Sequence, residues 1–405
     1  MGGGALLGVL KYGIFAKLLN PESFGIYSLV LTTYVYILYA GGLGLNEAVI
    51  KIGSHAHGKG QSEQVARLRD ISLVYGGIAT LVCGIIYILA IKIFISDKTL
   101  ANSLALAGGL ALAALEFNLV DATFRASQKI LLFSGMLFAK GLAVVILGMY
   151  LVPEYGANGV IVGEIIAFIG VFTLALIFCG NRFHLSRLSD SRALFINAVR
   201  NGFPLVISMF IRNISMSMDR WVMAASIGLL ALGKYTFAMI LYLVALTGTG
   251  FLTNILGPRW LAGYAKNQNA KQLFHQIKKV VLHILILAII SAGPFFFLIK
   301  FALQYFYPAY AGDDTLIATA LIYVGVTILM CTYLFDWLFI ALSAEKKLLR
   351  IALYTLSITA ILICLVHTLN GTIEFYAGVF LLCRFFTALL YIKSIAMLLE
   401  CHSQN

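Results

Sequence analysis

Apolar residues run along this chain in long stretches, and the charged residues gather mostly in short gaps between them. A helix crosses a bilayer with about 20 mostly apolar residues. About twelve stretches reach that length. In the first half the expected spans are 2–19, 24–49, 71–95, 100–123, 130–152 and 157–178. In the second half they are 202–226, 235–256, 280–298, 315–342, 351–369 and 375–399. The pattern predicts an all-α membrane protein with a lobe over 1–179, a linker over 180–201 and a second lobe over 202–405.

The first stretch is short, lacks a polar leader and carries Lys11 and Lys17. It ends in Lys17-Leu18-Leu19-Asn20-Pro21, without the small-residue cleavage site of a signal peptide. The first span is therefore expected to stay in the protein, and its brevity points to a start assigned too late, with a few residues missing upstream. The turn Asn20-Pro21-Glu22-Ser23 follows, with Pro21 suited to the first turn of a helix.

Charge adds an orientation. Connectors after even-numbered spans hold eighteen lysines and arginines, grouped in 51–69, 125–129, 182–200, 259–279 and 346–350. Connectors after odd-numbered spans and their flanks hold four: Lys92, Lys98, Lys234 and Lys300. By the positive-inside rule both termini are expected in the cytoplasm. No outer connector is long enough to form a domain.

The two halves echo each other in order. Residues 19–27, ending Gly25-Ile26-Tyr27, match 230–235, ending Gly233-Lys234-Tyr235. Asp121-x-x-Phe124-x-Ala126 matches Asp336-x-x-Phe339-x-Ala341. Ala157-Asn158-Gly159-Val160 matches Tyr376-Ala377-Gly378-Val379. Together the pairs argue for two repeats of six spans. An even number of spans per repeat makes the repeats parallel, with a substrate site expected between the lobes near the midplane.

Composition supports this class. The chain of 405 residues is 61% hydrophobic and 11% charged, where a soluble domain carries about 25% charged residues. The net charge of +12 would suggest nucleic acid in a soluble protein; here it follows from the basic connectors, and no nucleic-acid partner is expected. Five of the six cysteines lie in apolar runs and none forms a CxxC pair, which gives neither a disulfide framework nor a zinc site.

Leu18-Leu19-x-Pro21-Glu22-x-Phe24-Gly25-Ile26-Tyr27, the run Gly41-Gly42-Leu43-Gly44, and Asp219-Arg220 followed by Gly233-x-Tyr235 carry a resemblance. The chain resembles the polysaccharide transporters of the multidrug/oligosaccharidyl-lipid/polysaccharide exporter superfamily, in particular the O-antigen (Wzx-type) flippases. The resemblance covers nearly the whole chain; the short first span departs from the family pattern. It implies a MATE-like fold of two lobes in a bacterial inner membrane. It also implies that a lipid-diphosphate-linked oligosaccharide moves from the cytoplasmic to the outer leaflet by alternating access. An ion gradient or the membrane potential would drive the movement, with H⁺ or Na⁺ as the coupling ion and no other cofactor. Other polysaccharide assembly proteins are the expected partners.

Among the charged residues inside the expected spans are Lys11, Lys17, Glu116, Asp121, Lys140, Glu164, Arg212, Asp219, Arg220, Asp336, Arg384 and Lys393. Depth decides what each means. Lys17 and Lys393 lie near span ends and can snorkel to the interface. Asp121 and Asp336 also lie near ends and read as helix-cap or packing residues. Lys11, Lys140, Arg212 and Arg384 are deep, two in each half. A charge at the centre of a span costs at least ~2.5–3.5 kcal/mol on insertion scales, so it normally faces a bundle interior or a wet cavity.

Four deep cations form the expected substrate-binding set for a diphosphate and acidic sugar. Arginine suits phosphate because its planar fork donates two parallel hydrogen bonds. Internal pairing is the competing reading: Glu164, Glu116 or Asp219 can each neutralise one cation. Asp219, Arg220 and Glu164 are the candidates for ion coupling or a gate. Asp219 reads either as a proton or sodium site or as a gate salt bridge. Adjacent residues on a helix point about 100° apart, so Asp219 and Arg220 are not an automatic pair.

The remaining motifs carry less. His55-x-His57 lies in a connector with no third ligand nearby, where zinc needs three or four, and reads as a solvated loop. Asn370-Gly371-Thr372 is a glycosylation pattern in an outer loop. The chain has no Walker A, GxGxxG or HExxH motif, so no catalytic activity is expected. Two other functions compete with the flippase. A drug or metabolite exporter of the same fold would favour acidic groups at depth, because its cargo is cationic. A glycan polymerase or ligase would carry a large outer loop or soluble domain with catalytic side chains.

Overall fold

The computed structural model describes residues 2–178, 183–184 and 191–401. Among these residues the regular elements are helices: thirteen α-helices and one short 3-10 turn at Pro308–Tyr310. In the first half they are α1 (Gly2–Leu18), α2 (Pro21–Gly42), α3 (Leu45–Gly58), α4 (Ser62–Phe94), α5 (Lys98–Ala126) and α6 (Ile130–Phe178). They continue with α7 (Ser191–Ser226), α8 (Leu229–Ala238), α9 (Ile240–Asn267), α10 (Ala270–Tyr305), α11 (Asp313–Ala341), α12 (Glu345–Thr368) and α13 (Ile373–Cys401).

Ten of these stretches are long and apolar enough to cross a membrane. The count agrees with the twelve expected spans once two elements are read correctly. α1, at 17 residues, falls just short of a spanning length. α6, at 49 residues, is two spans joined by a reversal. Gly156 breaks the helix with φ 53° and ψ −131°, three residues after Pro153. A Cβ on Gly163 would lie 3.1 Å from the backbone nitrogen of Gly148. In a straight helix these residues would stand about 22 Å apart at 1.5 Å per residue. The arms therefore fold back on each other, and glycines 159 and 163 let them pack closely.

Local chemistry sets the other boundaries. Asn20 caps α2 by accepting from the Ser23 amide at 2.8 Å, and Pro21 occupies the first turn. Asp97 caps α5 by accepting from Thr99 at 2.8 Å and Leu100 at 3.3 Å. α2 ends earlier than the expected 49: Leu43 and Gly44 take left-handed conformations at φ 50° and 76°. The following connector is helical rather than a loop. α3 places His55 and His57 in its last turn. The expected span 235–256 is interrupted at Met239, between α8 and α9. The expected linker 180–201 is partly helical, since α7 begins at Ser191; residues 179–182 and 185–190 of it lie outside the described residues.

The molecule wears its apolar side chains outward. Ile78, Ile85, Ile86, Ile93 and Phe94 of α4 and Ile289, Ile290 and Phe297 of α10 are exposed. Tyr27, Arg69, Asp70, Glu164, Asp219 and Arg384 are buried. That arrangement suits a hydrocarbon solvent, where backbone polar groups must be satisfied within the helix. The protein is a multi-pass membrane protein.

The chain forms two compact units, residues 1–210 and 211–405, and the division falls inside α7. Unit 1 has a core of Leu45, Val49, Leu68, Leu115 and Leu119, drawn from α3, α4 and α5. Unit 2 has a core of Leu273, Ile277, Leu334, Phe339, Ile351 and Tyr391, drawn from α10 to α13.

Candidate functional site

In unit 1 the deep charges converge on Glu164. This carboxylate lies on the second arm of α6 and is 2% exposed. Lys11 of α1 donates to its Oε1 at 2.7 Å, and the Tyr27 hydroxyl of α2 donates to the same oxygen at 2.5 Å. Lys11 also lies over the ring of Tyr12, 4.9 Å from its centroid. Of the two readings of Lys11, the geometry realises the internal pair. Three segments distant in sequence are thereby tied at one oxygen.

Lys140, on the first arm of α6, is held differently. Its ammonium lies 5.3 Å from the ring centre of Phe117 and 4.9 Å from that of Phe168. Aromatic faces attract a cation through their quadrupole, and among the described residues its three N–H donors are left for a ligand. Asp121, expected as a cap or packing residue, bonds Arg125 one turn away at 2.9 Å.

Unit 2 gathers its charges on α7, α11 and α13. Arg212 of α7 bonds Asp336 of α11 at 3.2 Å. Tyr391 of α13 donates to the other oxygen of Asp336 at 2.5 Å. Asp336 was expected to cap or pack a helix end; its partner is instead Arg212, one of the four deep cations. The three acids proposed for internal pairing did not include it. The partners stand 124 residues apart, and no local spacing signals such a contact. Arg212 keeps 32% of its side chain exposed. Its guanidinium carbon lies 5.0 Å from the ring centre of Tyr333.

Asp219 is buried about two helical turns beyond. It accepts a short hydrogen bond from the Tyr235 hydroxyl of α8 and a backbone N–H bond from Arg220 at 2.9 Å. Arg384 of α13 is 2% exposed and lies against Phe380. Its charge reaches Asp219 without a hydrogen bond. Arg212, Ser215, Thr355, Arg384, Thr387 and Tyr391 line one cavity inside unit 2. Lys17 and Lys393 are exposed.

Residues missed by sequence reasoning are mostly tyrosines. Tyr27, Tyr235 and Tyr391 each hold a carboxylate inside the helices. Their signal was present only in part: Tyr27 and Tyr235 are the matched residues of the two halves.

Comparison with known proteins gives the arrangement a context. Residues 2–259 match the family described as polysaccharide biosynthesis protein. No curated protein sequence matches the chain. Among solved structures, an inward-facing multidrug resistance MATE family transporter of the MOP superfamily aligns with a TM-score of 0.76 at 15% identity, covering 98% of this chain and 96% of that one. The lipid II flippase MurJ, in an inward closed conformation, aligns with a TM-score of 0.75 at 14% identity, covering 97% and 86%. A MOP superfamily transporter from Pyrococcus furiosus, described as having a binding pocket of reversed polarity, aligns with a TM-score of 0.64 at 14% identity, covering 98% and 93%. At these identities the likeness shows the fold, which is that of this group of transporters.

Proposed function

The chain belongs to the polysaccharide biosynthesis protein family, and from that premise we propose that it is a lipid-linked oligosaccharide flippase. Its substrate would be a polysaccharide repeat unit, such as an O-antigen unit, on an undecaprenyl-diphosphate-type carrier. The protein moves it from the inner to the outer leaflet by alternating access, without making or breaking bonds in it. The lysine and arginine bias of the connectors supports a bacterial inner membrane location with both termini in the cytoplasm. An H⁺ or Na⁺ gradient is the proposed drive, with Asp219, Arg220 and Glu164 as the coupling or gating groups.

Arg212 carries the reading. It lies about 21 Å along α7 from Ser226, at 1.5 Å per residue, too deep to reach an interface at that end. Asp336 engages one of its nitrogens, and a guanidinium has five donors in a fixed fork. Part of that fork is left for an anionic group, and a diphosphate is the anion common to carriers of this class. Lys140 supplies the corresponding cation in unit 1. Arg384 and Lys11 are more deeply buried and act behind these two. An exporter of cationic drugs would favour acidic groups and fewer cations at this depth.

The test is export complementation with membrane abundance for wild type, Arg212→Ala and Arg212→Lys. The pair with Asp336 is partly exposed on both sides, and Tyr391 still holds the acid when Arg212 is removed. Arg212→Ala is expected to keep abundance within about twofold while export falls at least ~10-fold, the loss of roughly one charge-assisted hydrogen bond. Arg212→Lys should rescue in part, because an ammonium keeps the charge and loses the fork. An abundant Arg212→Ala protein that exports at the wild-type rate overturns the proposal at this position.

A further inference from the structure

The break between α2 and α3 gathers polar side chains that unit 1 does not satisfy. Leu43 and Gly44 turn left-handed at φ 50° and 76°, which ends α2 inside an apolar stretch and leads the chain into α3. α7 crosses the break in backbone contact: beside the Gly44 carbonyl there is no room for a Cβ on Gly202. Asn46 and Glu47 follow in the first turn of α3. Asn118 of α5 joins them at one cavity within unit 1.

All three side chains are half-buried. Among the described residues none of them makes a hydrogen bond or an ion pair, and Asn46 Oδ1 is sealed from water without a partner. A polar group taken from water without a compensating bond is unfavourable. Three such groups at one place point to a ligand that supplies what the helices do not.

Size and wall chemistry say which ligand. The cavity measures about 240 Å³. At about 10–15 Å³ per water it takes roughly 16–24 water-sized bodies, and a pyranose sugar has about a dozen non-hydrogen atoms. A lone metal ion would leave most of this space unfilled. Among the described residues no lysine or arginine lines the cavity, and its one charged side chain is the acid Glu47, which repels a phosphate. Two amides and a carboxyl group offer acceptors and donors to neighbouring hydroxyls. Beside them Val206 and Met209 of α7 give an apolar wall, and Tyr39 of α2 gives an aromatic one. The ring of Tyr39 is set against that of Phe210, 6.2 Å between centres at 65°. Hydroxyls around faces of C–H groups are what a pyranose presents.

We propose that this cavity is a subsite for an uncharged sugar of the transported glycan. Glu47 and Asn118 hold its hydroxyls, and its ring lies beside Tyr39. Asn46 completes the site, because its amide has no internal bond to give up on turning to the ligand. The inference rests on the flippase reading and adds the sugar end of the substrate to it. α5 ends at Ala126, about 12 Å beyond Asn118 at 1.5 Å per residue. The subsite therefore lies toward the basic connectors 51–69 and 125–129, on the side where the sugar starts its passage.

Saturation-transfer NMR from the full-length purified protein, in a sugar-free detergent, tests this without transport. The probes are D-glucose, D-galactose, L-rhamnose and N-acetyl-D-glucosamine, with D-glucuronate as the charged comparison and inorganic pyrophosphate as competitor. At least one uncharged sugar should receive saturation, D-glucuronate much less, and pyrophosphate should displace neither. Glu47→Gln and Asn118→Leu should each weaken the apparent affinity about 10-fold, the loss of one good hydrogen bond. Asn118→Leu nearly keeps the volume and removes an unmet polar group, so it should melt at or above the wild-type temperature. That separates a lost site from a lost fold. Saturation of no uncharged sugar overturns the proposal, and so does saturation that survives unchanged in both variants. Equal binding of D-glucuronate or displacement by pyrophosphate overturns it as well, and an Asn118→Leu protein that melts well below wild type makes Asn118 structural and does the same. Failure here leaves the flippase reading standing, because that rests on export by Arg212 variants.

Discussion

The two units solve the same geometric problem with opposite charges. α1 ends at Leu18 and α2 begins at Pro21; α7 ends at Ser226 and α8 begins at Leu229. The intervals match, so Lys11 and Asp219 hold equivalent places, each sixteen residues before a buried tyrosine, Tyr27 or Tyr235. In unit 1 the cation is on the first helix and the acid, Glu164, is on the last. In unit 2 the acid is on the first helix, and Arg384 lies on the last within one residue of the matching position. Unit 1 closes the matched pair, Lys11 and Glu164, into a direct bond at 2.7 Å. Among the described residues, unit 2 leaves Arg384 without one. The same register pairs Arg212 with Gly4, whose Cβ position lies only 3.1 Å from the Leu137 backbone. Unit 1 packs tightly where unit 2 opens a cavity. A repeat therefore preserves helix ends and tyrosines while its charges are free to be structural in one copy and available in the other.

The largest effect expected from this contrast is in unit 1. Glu164→Ala strands Lys11, whose side chain is 15% exposed, and removes the acceptor of Tyr27. Breaking a buried pair from one side costs about 3–5 kcal/mol. Membrane abundance and melting temperature of the purified protein should both fall sharply. The exchange Lys11→Glu with Glu164→Lys reproduces the polarity of unit 2 and should recover part of the loss. A Glu164→Ala protein as abundant and heat-stable as wild type would mean that unit 1 is not closed by this bond.

Asp219→Asn probes the other unit with a smaller structural change. The amide oxygen still accepts from Tyr235, so stability should drop by about 1 kcal/mol, the scale of one weakened hydrogen bond. The charge is gone, however, and with it any site for a coupling cation. Substrate binding is expected to persist while gradient-dependent transport in proteoliposomes is lost. Transport that still follows the imposed gradient reassigns Asp219 to a structural partner of Tyr235.

The sequence made the spans legible because crossing a bilayer demands long apolar runs, and even the reversal at Gly156 fell between two expected spans. Helices that lie outside such runs were not legible. α3 carries Glu47, Lys51, His55 and His57, and a reading based on apolar length passes over it. Depth alone singled out Lys11, Lys140, Arg212 and Arg384. Partners were a different matter: Lys11 and Glu164 stand 153 residues apart and Arg212 and Asp336 stand 124 apart. Such contacts arise from how helices assemble, and no periodicity within a helix encodes them. Glu164 could be named as a possible partner because deep acids are few; Asp336 was passed over because it sits near a helix end, where charge is cheap.

The finest separation of the two units comes from their matched tyrosines. Tyr27 and Tyr235 are both fully buried, so no water replaces a hydroxyl that is removed. Phenylalanine keeps the ring and its packing in each case, which isolates the hydrogen bond. Glu164 loses one donor in Tyr27→Phe but keeps Lys11 at 2.7 Å. Asp219 loses its one side-chain donor among the described residues in Tyr235→Phe and keeps only the Arg220 backbone N–H at 2.9 Å. A hydrogen bond to a charged group contributes roughly 1.5–3 kcal/mol, and a buried acceptor left short of donors adds to the loss. Tyr235→Phe is therefore expected to cost about 2–3 kcal/mol and Tyr27→Phe about 1, read from melting temperatures of the two variants in one detergent. Equal losses, or a larger loss for Tyr27→Phe, would show that Arg384 satisfies Asp219 as fully as Lys11 satisfies Glu164, and the difference between a closed unit and an open one would disappear.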